Sequence, residues 1–492
     1  MKRVASGILP VIAVDRRSSK PLQRQIYDAY REAILEGRLR PGQRIPSTRV
    51  LASEIAVSRF PVLNAYAQLL AEGYLEGRVG AGTIVSRSLP DQLTASQITR
   101  APRDGMRSGP RPVAKRASAL PPIGARPWMD CWGAFRVGQV AFDQFPLRIW
   151  SELAVRRCRR MSARSSRYGD PLGSEALRCA IASYLRVARS VRCDTGQIVI
   201  VNGSQQALEL ATRVLLNPGS RVWVEQPGYR LARDVFTLNG SRLVPVPVDA
   251  DGLDVAAGIR KCRRARAAFV SPSHQFPLGV TMSASRRMQL IKWAQSVGAW
   301  IIEDDYDSEY RYESLPIASL QGLDPNARVI YIGTFSKVLF PSLRLGYMVI
   351  PPDLVDRFRS IRQVMDLGPP TFHQEVLADF IEQGHFERHI RRMRVLYGKL
   401  RRVLVDWIRR ELGGMVEVVG DEAGMHVTVF LKTGQRDVEL AERAARQDLS
   451  LWPLSFSYLG EPRQGFILGF CATTAQEIPV AVRKLRNLLA TK

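Results

Sequence analysis

Beyond residue 140, short apolar runs of strand character alternate with helical patterns, and each run ends on polar or turn residues. "QIVIVNG" leads into "SQQALELATRVLL"; "RVWVEQPGY", "RAAFVSPSHQFPLG", "AWIIEDDYDSEY", "ARVIYIGTFSK" and "GYMVI" follow. This alternation predicts an α/β domain built on a mostly parallel sheet. In such sheets ligands gather outside the carboxyl ends of the strands. Those ends carry Gly203, Ser204 and Gln205, then Tyr229, then Asp304 with Tyr306, then Ser336 and Lys337. One crevice therefore collects a helix N-terminus, an aromatic ring, a carboxylate, a phenol and an amine.

Pyridoxal 5'-phosphate needs that set. A lysine forms an imine with its aldehyde, a carboxylate keeps the pyridine nitrogen protonated, and a phenol hydrogen-bonds the ring oxygen. Backbone N–H groups, hydroxyls and an arginine hold the phosphate. Taken alone Lys337 reads as a surface lysine; Ser336 before it and Arg344 in "SLRLGY" after it change that reading. Asp304 also fits a helix cap or a loop acid. "EDDYD" also fits a metal site, but magnesium and calcium sites seldom come as one strand-end cluster facing a lysine. Ser204 is expected to cap its helix as well as to face the phosphate. Tyr229 is either a turn aromatic or a ring contact.

At 492 residues, 46% hydrophobic and 24% charged, the chain is globular and too long for one core, so two or three domains are expected. The formal charge of +25 favours a polyanionic partner such as nucleic acid, or else reflects a solubilising surface. "MKRVASGILPVIAVDRR" has too short an apolar stretch for a signal peptide, and no later run approaches a membrane span. A cytoplasmic protein without membrane contact is the expectation. Cys131, Cys158, Cys179, Cys193, Cys262 and Cys471 form no CxxC pair, and the five histidines lack ligand spacing. Neither disulfides nor a metal site is signalled.

Residues 12–86 read as a separate module. In "SSKPLQRQIYDAYREAILEG", Leu22, Ile26, Tyr30 and Ile34 recur every four residues between a serine pair and Gly37, which predicts a capped amphipathic helix. "PSTRVLASEIA" offers Ser47 as N-cap. "VSRFPVLNAYAQLLAEGY" offers Ser58 as the next, with Val62, Ala65, Tyr66 and Leu69 as an inner face. Two short helices joined by a tight turn make a helix-turn-helix, and "YLEGRVGAGTIVS" forms a hairpin wing. Arg49 and Arg59 sit in first turns, where they reach phosphates or guanine edges of double-stranded DNA. Arg78, with Gly80 and Gly82 of the wing, approaches the neighbouring minor groove. Between the modules, residues 87–127 are rich in Pro, Gly, Ser and Ala and read as a flexible linker. Its eight basic against two acidic residues either add non-specific attraction to DNA or are plainly solvated.

"LEGRLRPGQRIPSTRVLASEIAVSR" with "AYAQLLAEGYLEGRVGAGTIV" resembles the winged helix-turn-helix of GntR-family transcription regulators. "YGDPLGSEALRCAIASYL", "NGSQQAL", "EQPGY", "SPSHQFPLG", "IIEDDYDSEYRY" and "TFSKVLFPSLRLGY" resemble fold-type I pyridoxal-phosphate enzymes of the aminotransferase kind. Joined in one chain, they are similar to the MocR subgroup of regulators. The resemblance implies a large α/β domain over residues 128–492 with a smaller α+β subdomain from about 390. It implies Lys337 as the imine-forming lysine, Asp304 at the pyridine nitrogen and Tyr306 at the ring oxygen. Ser204, Gln205, Ser336 and Arg344 would surround the phosphate. Tyr168 would reach the phosphate of the neighbouring subunit of a head-to-tail homodimer.

The chain departs from these families at three places. Phe60 and Pro61 follow Ser58-Arg59 where small polar residues are usual, which puts the operator sequence in question. Phe276-Pro277 stands where aminotransferases have Asn-Pro, leaving the ring-oxygen duty more to Tyr306. In "DLSLWPLSFSYLGEPRQGF" only Arg463 stands where an arginine commonly holds the substrate carboxylate. The resulting expectation is a cofactor-dependent regulator with little or no turnover, sensing an amino compound or pyridoxal phosphate itself. A working aminotransferase with a DNA-binding head is the alternative.

Overall fold

The computed structural model describes residues 13–78, 82–89, 112–120, 124–163, 167–312 and 317–490. The chain divides into two compact units, one up to residue 111 and the other from 112 onward.

In the first unit, helices α1 (Leu22–Leu35), α2 (Thr48–Glu54) and α3 (Arg59–Ala71) precede strands β1 (Leu75–Arg78) and β2 (Gly82–Val85). The strands form an antiparallel wing with Leu75 opposite Val85. The four-residue spacing of Ile26, Tyr30 and Ile34 puts them on one side of α1. There they pack with Leu51 of α2 and with Val62, Ala65, Tyr66 and Leu69 of α3 in one core. At its centre the Tyr66 hydroxyl donates to that of Tyr30 at 3.0 Å, so two buried phenols satisfy each other. Ser47 caps α2, accepting from the Val50 N–H at 3.3 Å. Two expected caps differ. Pro21, rather than either serine, occupies the N-cap of α1, and Ser58 holds the N-cap position of α3 without a side-chain bond. Proline's φ of −54° suits a helix entry and leaves no N–H to satisfy.

The second unit is organised by an eight-stranded sheet. Its strands are β3 (Ile198–Val201), β4 (Arg221–Gln226), β5 (Arg242–Asp249), β6 (Gly252–Leu253), β7 (Ala267–Val270), β8 (Trp300–Asp305), β9 (Val329–Thr334) and β10 (Gly346–Val349). They lie in the order β3-β10-β9-β8-β7-β4-β5-β6. Strands β9, β8, β7, β4 and β5 are parallel, while β10 is antiparallel to both β9 and β3. β3 therefore runs with the parallel set, and the carboxyl ends of β3, β4, β8 and β9 share one edge. β5 escapes the sequence pattern because Pro245 and Pro247 interrupt it. That is tolerated beside an edge, where its outer neighbour is only the two-residue β6.

A smaller antiparallel sheet follows, with β11 (Val416–Val419), β12 (His426–Leu431), β13 (Trp452–Pro453) and β14 (Gly465–Gly469) in the order β11-β12-β14-β13. Helices His385–Leu412 and Glu477–Ala490 share its core. Trp128, Phe135 and Val140 enter the same core from the other end of the unit. The Ser450 hydroxyl donates to the Trp128 carbonyl at 2.7 Å, and the Gly469 N–H to the Phe135 carbonyl at 3.0 Å. The smaller subdomain is thus closed by chain that lies far earlier in the sequence than its helices.

Candidate functional site

The carboxyl ends of β3, β4, β8 and β9 open into a cavity of about 380 Å³. Ser204, Gln205, Tyr229, Asp304, Tyr306, Ser336, Lys337 and Arg344 all line it. They come from the ends of β3, β4, β8 and β9 and the turns behind them, which the sheet topology brings to one edge.

At the end of β3, Gly203 stands at the N-cap of helix Ser204–Leu215 with φ +91° and ψ 174°, a region essentially reserved for glycine. The glycine, not Ser204, holds the cap position, which corrects the expected capping role: Ser204 is already inside the helix and makes no cap bond. This first turn lines the cavity, and a helix N-terminus, whose first N–H groups lack intrahelical partners, is a ready anion site. Arg344 lies against the same turn. Its Nη2 donates to the Asn202 carbonyl at 2.7 Å, and a Cβ on Gly203 would meet its guanidinium at about 3.4 Å. The Gln205 side-chain amide donates to the Tyr229 hydroxyl at 3.1 Å, joining phosphate side and ring side.

Asp304, the last residue but one of β8, is buried, and its Oδ1 has no partner among the described residues. Burial, then the charges of Asp305 and Asp307, push its carboxyl up to about 7, and Lys337 opposes them. A buried carboxylate lacking a cation fits the N–H of a pyridinium ring. The Ser336 Oγ is likewise unpartnered. Burial pushes the Lys337 ammonium down, against the pull of Asp307 and Asp304, which favours the neutral, nucleophilic amine. Among the described residues its Nζ donates to the Gly138 carbonyl, at 3.4 Å, and a Cβ on Gly138 would stand 2.4 Å from it. The donors and acceptors present thus fit pyridoxal phosphate.

Two histidines beside this acidic cluster were not singled out by sequence. His274 Nδ1 lies 3.0 Å from the Tyr306 hydroxyl and 3.1 Å from Asp307 Oδ2. His426 lines the cavity, and its Nε2 lies 3.1 Å from the Pro277 carbonyl. The ligand atoms of His274, Asp307 and His426 fall within 4.8 Å of one another, although 152 positions separate the two histidines, so spacing alone hides the cluster. Phe276 sets its ring edge-on to Tyr229, at 5.7 Å between centroids, and occupies the place of the missing asparagine.

Other expected residues lie elsewhere. Tyr168 is 86% exposed and outside the cavity of its own chain. Arg463 pairs with Glu417 at 3.1 Å and lies over Phe430, away from the cavity. In the first unit Ser47, Arg49, Ser58 and Arg59 are exposed, and Arg59 Nε donates to Thr48 Oγ1 at 3.1 Å, tying α3 to α2. Arg78 is opposite Gly82 in the wing; Gly80 lies outside the described residues.

Residues 22–85 match the bacterial regulatory proteins of the gntR family, and residues 135–485 match the aminotransferase class I and II family. Over 480 residues the chain is 38% identical to the probable rhizopine catabolism regulatory protein MocR of Rhizobium meliloti, covering 97% of this chain and 95% of the relative. The chain belongs to the MocR subgroup of GntR-family transcription regulators. Another MocR-type relative is the pyridoxine biosynthesis transcriptional regulator PdxR of Corynebacterium glutamicum, 30% identical over 93% of this chain and 94% of its own length. Among solved structures, Pyrococcus horikoshii kynurenine aminotransferase, in complex with PMP, superposes with a TM-score of 0.71 at 27% identity, over 77% of this chain and 96% of that one. This MocR-type chain thus combines a GntR helix-turn-helix with a fold-type I aminotransferase-like domain. Among the described residues, no helix is long and apolar enough to cross a membrane.

The carboxyls around the cavity predict a pH effect. Burial first raises Asp304, Glu303 and Glu309 to about 7 and Glu225 to about 8, from ordinary values of 3.8 and 4.5. A group raised in the folded state stabilises fully below its unfolded pKa and loses that contribution as pH rises through its folded one. Cofactor-free protein should therefore melt at a lower temperature at pH 8.5 than at pH 5.5, and Asp304→Asn should shrink the difference. Parallel melting curves for the two proteins across that range would contradict this account of Asp304.

Proposed function

We propose that this regulator holds pyridoxal phosphate on Lys337 and responds to a primary amine that competes for the same carbon. The observation that carries the reading is Asp304, a buried carboxyl with an unpartnered Oδ1, sharing a cavity with Lys337. Support also comes from the complex of Thermus thermophilus LysN with N-(5'-phosphopyridoxyl)-L-leucine, similar at a TM-score of 0.70 and 28% identity. When bound, the cofactor would supply an aldehyde carbon that a primary amine can contest with Lys337. Lys337 would hold that carbon through its Nζ, Asp304 would keep the ring nitrogen protonated, Tyr306, with His274 Nδ1 3.0 Å from its hydroxyl, would serve the ring oxygen, and Tyr229 would contact the ring. Ser204, Gln205, Ser336 and Arg344 would hold the phosphate.

Tyr168, exposed and clear of its own cavity, is available to the cavity of a partner in a head-to-tail homodimer. We place the protein in the cytoplasm, where its operator is. The effector acts through unequal affinity for two arrangements of the dimer, and the connector of residues 87–127 carries the difference to the head. Absorption of the yellow holoprotein on adding amines tests the sensing step. Turnover of an amino acid with a 2-oxo acid at about 1 per second or faster, the range of ordinary enzymes, would replace this reading by that of an aminotransferase.

On DNA, Ser47 and Ser58 open α2 and α3 toward phosphates, Arg49 and Arg59 reach backbone or base edges, and Arg78 with Gly80 and Gly82 meets the minor groove. Phe60, 71% exposed beside Arg59, offers an apolar face to a thymine methyl. Arg59→Ala should weaken binding to the cognate operator by roughly 1–3 kcal/mol and hardly change binding to random DNA. Fluorescence anisotropy at several salt concentrations measures both. An equal loss on the two sequences would make Arg59 a phosphate contact.

A further inference from the structure

We infer that His274 and Asp307 are positioning residues for the cofactor's ring oxygen: Asp307 keeps a hydrogen on His274 Nδ1, and that hydrogen leaves the one on the Tyr306 hydroxyl free to point into the cavity. This role rests on the reading of Lys337 and Tyr306 given above and lies one layer behind the cavity wall. Tyr306 lines the cavity, whereas His274 and Asp307 are buried beside it without lining it.

One ring nitrogen meets two oxygens. His274 Nδ1 lies 3.1 Å from Asp307 Oδ2 and 3.0 Å from the Tyr306 hydroxyl. A neutral imidazole nitrogen either donates or accepts, so its two neighbours decide the tautomer. Asp307 Oδ2 already accepts from the Met425 N–H at 3.2 Å, and a carboxylate oxygen has only lone pairs to offer the ring. The hydrogen between them therefore belongs to Nδ1. At the other end of the ring, Nε2 is buried and has no partner among the described residues, so nothing there competes for that hydrogen. With Nδ1–H in place, the Tyr306 oxygen accepts from His274, and its own hydrogen must go elsewhere. Burial, and then the charges of Asp307 and Asp304, hold this phenol well above its ordinary value, so the hydrogen stays on it. The opposite tautomer would set the lone pairs of Nδ1 and Oδ2 face to face and draw the Tyr306 hydrogen back onto Nδ1, away from the cofactor.

The direction of this one hydrogen matters more here than in a site with two donors. Phe276 stands where an asparagine would supply a second, and its ring, 6.4 Å from that of Tyr306 between centroids, has none to give. His426 packs on the His274 ring at 4.9 Å between centroids, but its Nε2 lies 3.1 Å from the Pro277 carbonyl. Burial, and then the charge of His274, hold His426 well below its ordinary value, so it brings no charge that would disturb the pair.

The test is a double-variant cycle on the cofactor-loaded full chain, read as the pH at which the absorption of the bound cofactor changes. A protonated imine nitrogen donates internally to the ring oxygen, so an outside donor is worth most once that proton has left, and its presence lowers the pH of the change. Tyr306→Phe should raise it by about one to two pH units, the worth of a hydrogen bond to a charged oxygen. His274→Leu should raise it by about half to one unit while the Tyr306 hydroxyl is present, and by less than about 0.2 unit when combined with Tyr306→Phe. His274→Asn, whose amide N–H can stand in for Nδ1–H between Asp307 and Tyr306, should return it to within about 0.3 unit of the wild type. Asp307→Asn also removes a charge, which by itself lowers the pH of the change; the part of its effect that disappears with Tyr306→Phe should be upward. Asp304, Asp305, Glu225, Lys337, Arg311 and His426 also act on this corner, and being common to every arm of the cycle they cancel. Far-UV circular dichroism establishes that each variant is folded, and if His274→Leu is not, the Asp307→Asn arm decides. Shifts that are equal with and without the Tyr306 hydroxyl would overturn the positioning role. No shift in Tyr306→Phe would remove Tyr306 from the ring oxygen and this role with it, while borohydride capture on Lys337 would leave the sensing reading standing. A wild type that stays colourless with added cofactor would end both.

Discussion

Borohydride treatment of the loaded protein should fix the chromophore on the peptide that carries Lys337, and Lys337→Ala should retain none of it after denaturation. The loss is complete because a C–N bond can be reduced only where a lysine nitrogen has formed it. Reversible binding should survive, because the helix N-terminus behind Gly203, Arg344 and the Asp304 carboxyl remain in the cavity. The substitution should not unfold the domain. Among the described residues Lys337 Nζ makes one long hydrogen bond, 3.4 Å to a carbonyl, and its charged form is already disfavoured by burial, so its removal takes away a buried amine rather than core volume. Mass spectrometry of the reduced, digested protein reads the result directly. A wild type that stays colourless with added pyridoxal phosphate, or a Lys337→Ala protein that still carries a fixed chromophore, would show that the cofactor is not held here.

Why this lysine could be picked out in advance, while other site residues could not, follows from how each is encoded. Lys337, Asp304, Tyr229 and Ser204 sit where an apolar strand meets its turn, and strand ends are legible because the apolar run stops there. Parallel topology then brings the ends together without further information. In the head, Val62, Ala65, Tyr66 and Leu69 announce the inner face of α3 by spacing alone, and all four are buried. Residues whose role depends on distant packing carry no such local mark. His274 meets His426 because β12 of the small sheet packs against the turn after β7, and Asp307 because β7 and β8 are neighbours in the large one. Glu225 reads as one more strand residue, yet it lies beneath Asp304's neighbourhood, held by the Ser271 N–H at 3.2 Å and the Gln275 amide at 3.1 Å. Arg126 looked like one more charge of a basic connector; only the packing of Trp128 into the far subdomain turns it toward the cavity. The cap at Gly203 was misread for a related reason. Serine is the commoner N-cap, but here the backbone must pass through a conformation that only glycine takes.

Arg189→Ala should cost about 3–5 kcal/mol of stability, the range for leaving one partner of a buried ion pair bare. Arg189 follows helix Glu175–Ala188, and its Nε lies 2.9 Å from Asp305 Oδ2, with side chains only 3% and 0% exposed. Its other nitrogens donate to Ser273 Oγ at 2.8 Å and to the Ile317 carbonyl at 3.2 Å, so the guanidinium stitches three segments behind β8. Asp305 is in turn gripped by the Tyr331 and Ser308 hydroxyls. The pair answers an electrostatic difficulty raised by the site itself. Placing Asp304 at a strand end brings Glu303, Asp305, Asp307 and Glu309 with it into the interior, and burial raises three of these five carboxyls, Asp304 among them, to about 7. Asp305 alone is held below its ordinary value against burial, chiefly by the Arg189 charge. Without Arg189 it must either stay ionised next to Asp304 or take up a proton, and each alternative is unfavourable at neutral pH. Since whole domains are stable by only about 5–15 kcal/mol, the loss should be plain in urea unfolding followed by circular dichroism. Adding Asp305→Asn to Arg189→Ala should recover part of it, because the double variant leaves no bare charge behind. A loss below about 1 kcal/mol, the worth of an exposed pair such as Arg148 with Glu152, would mean that Arg189 does not neutralise the acidic cluster.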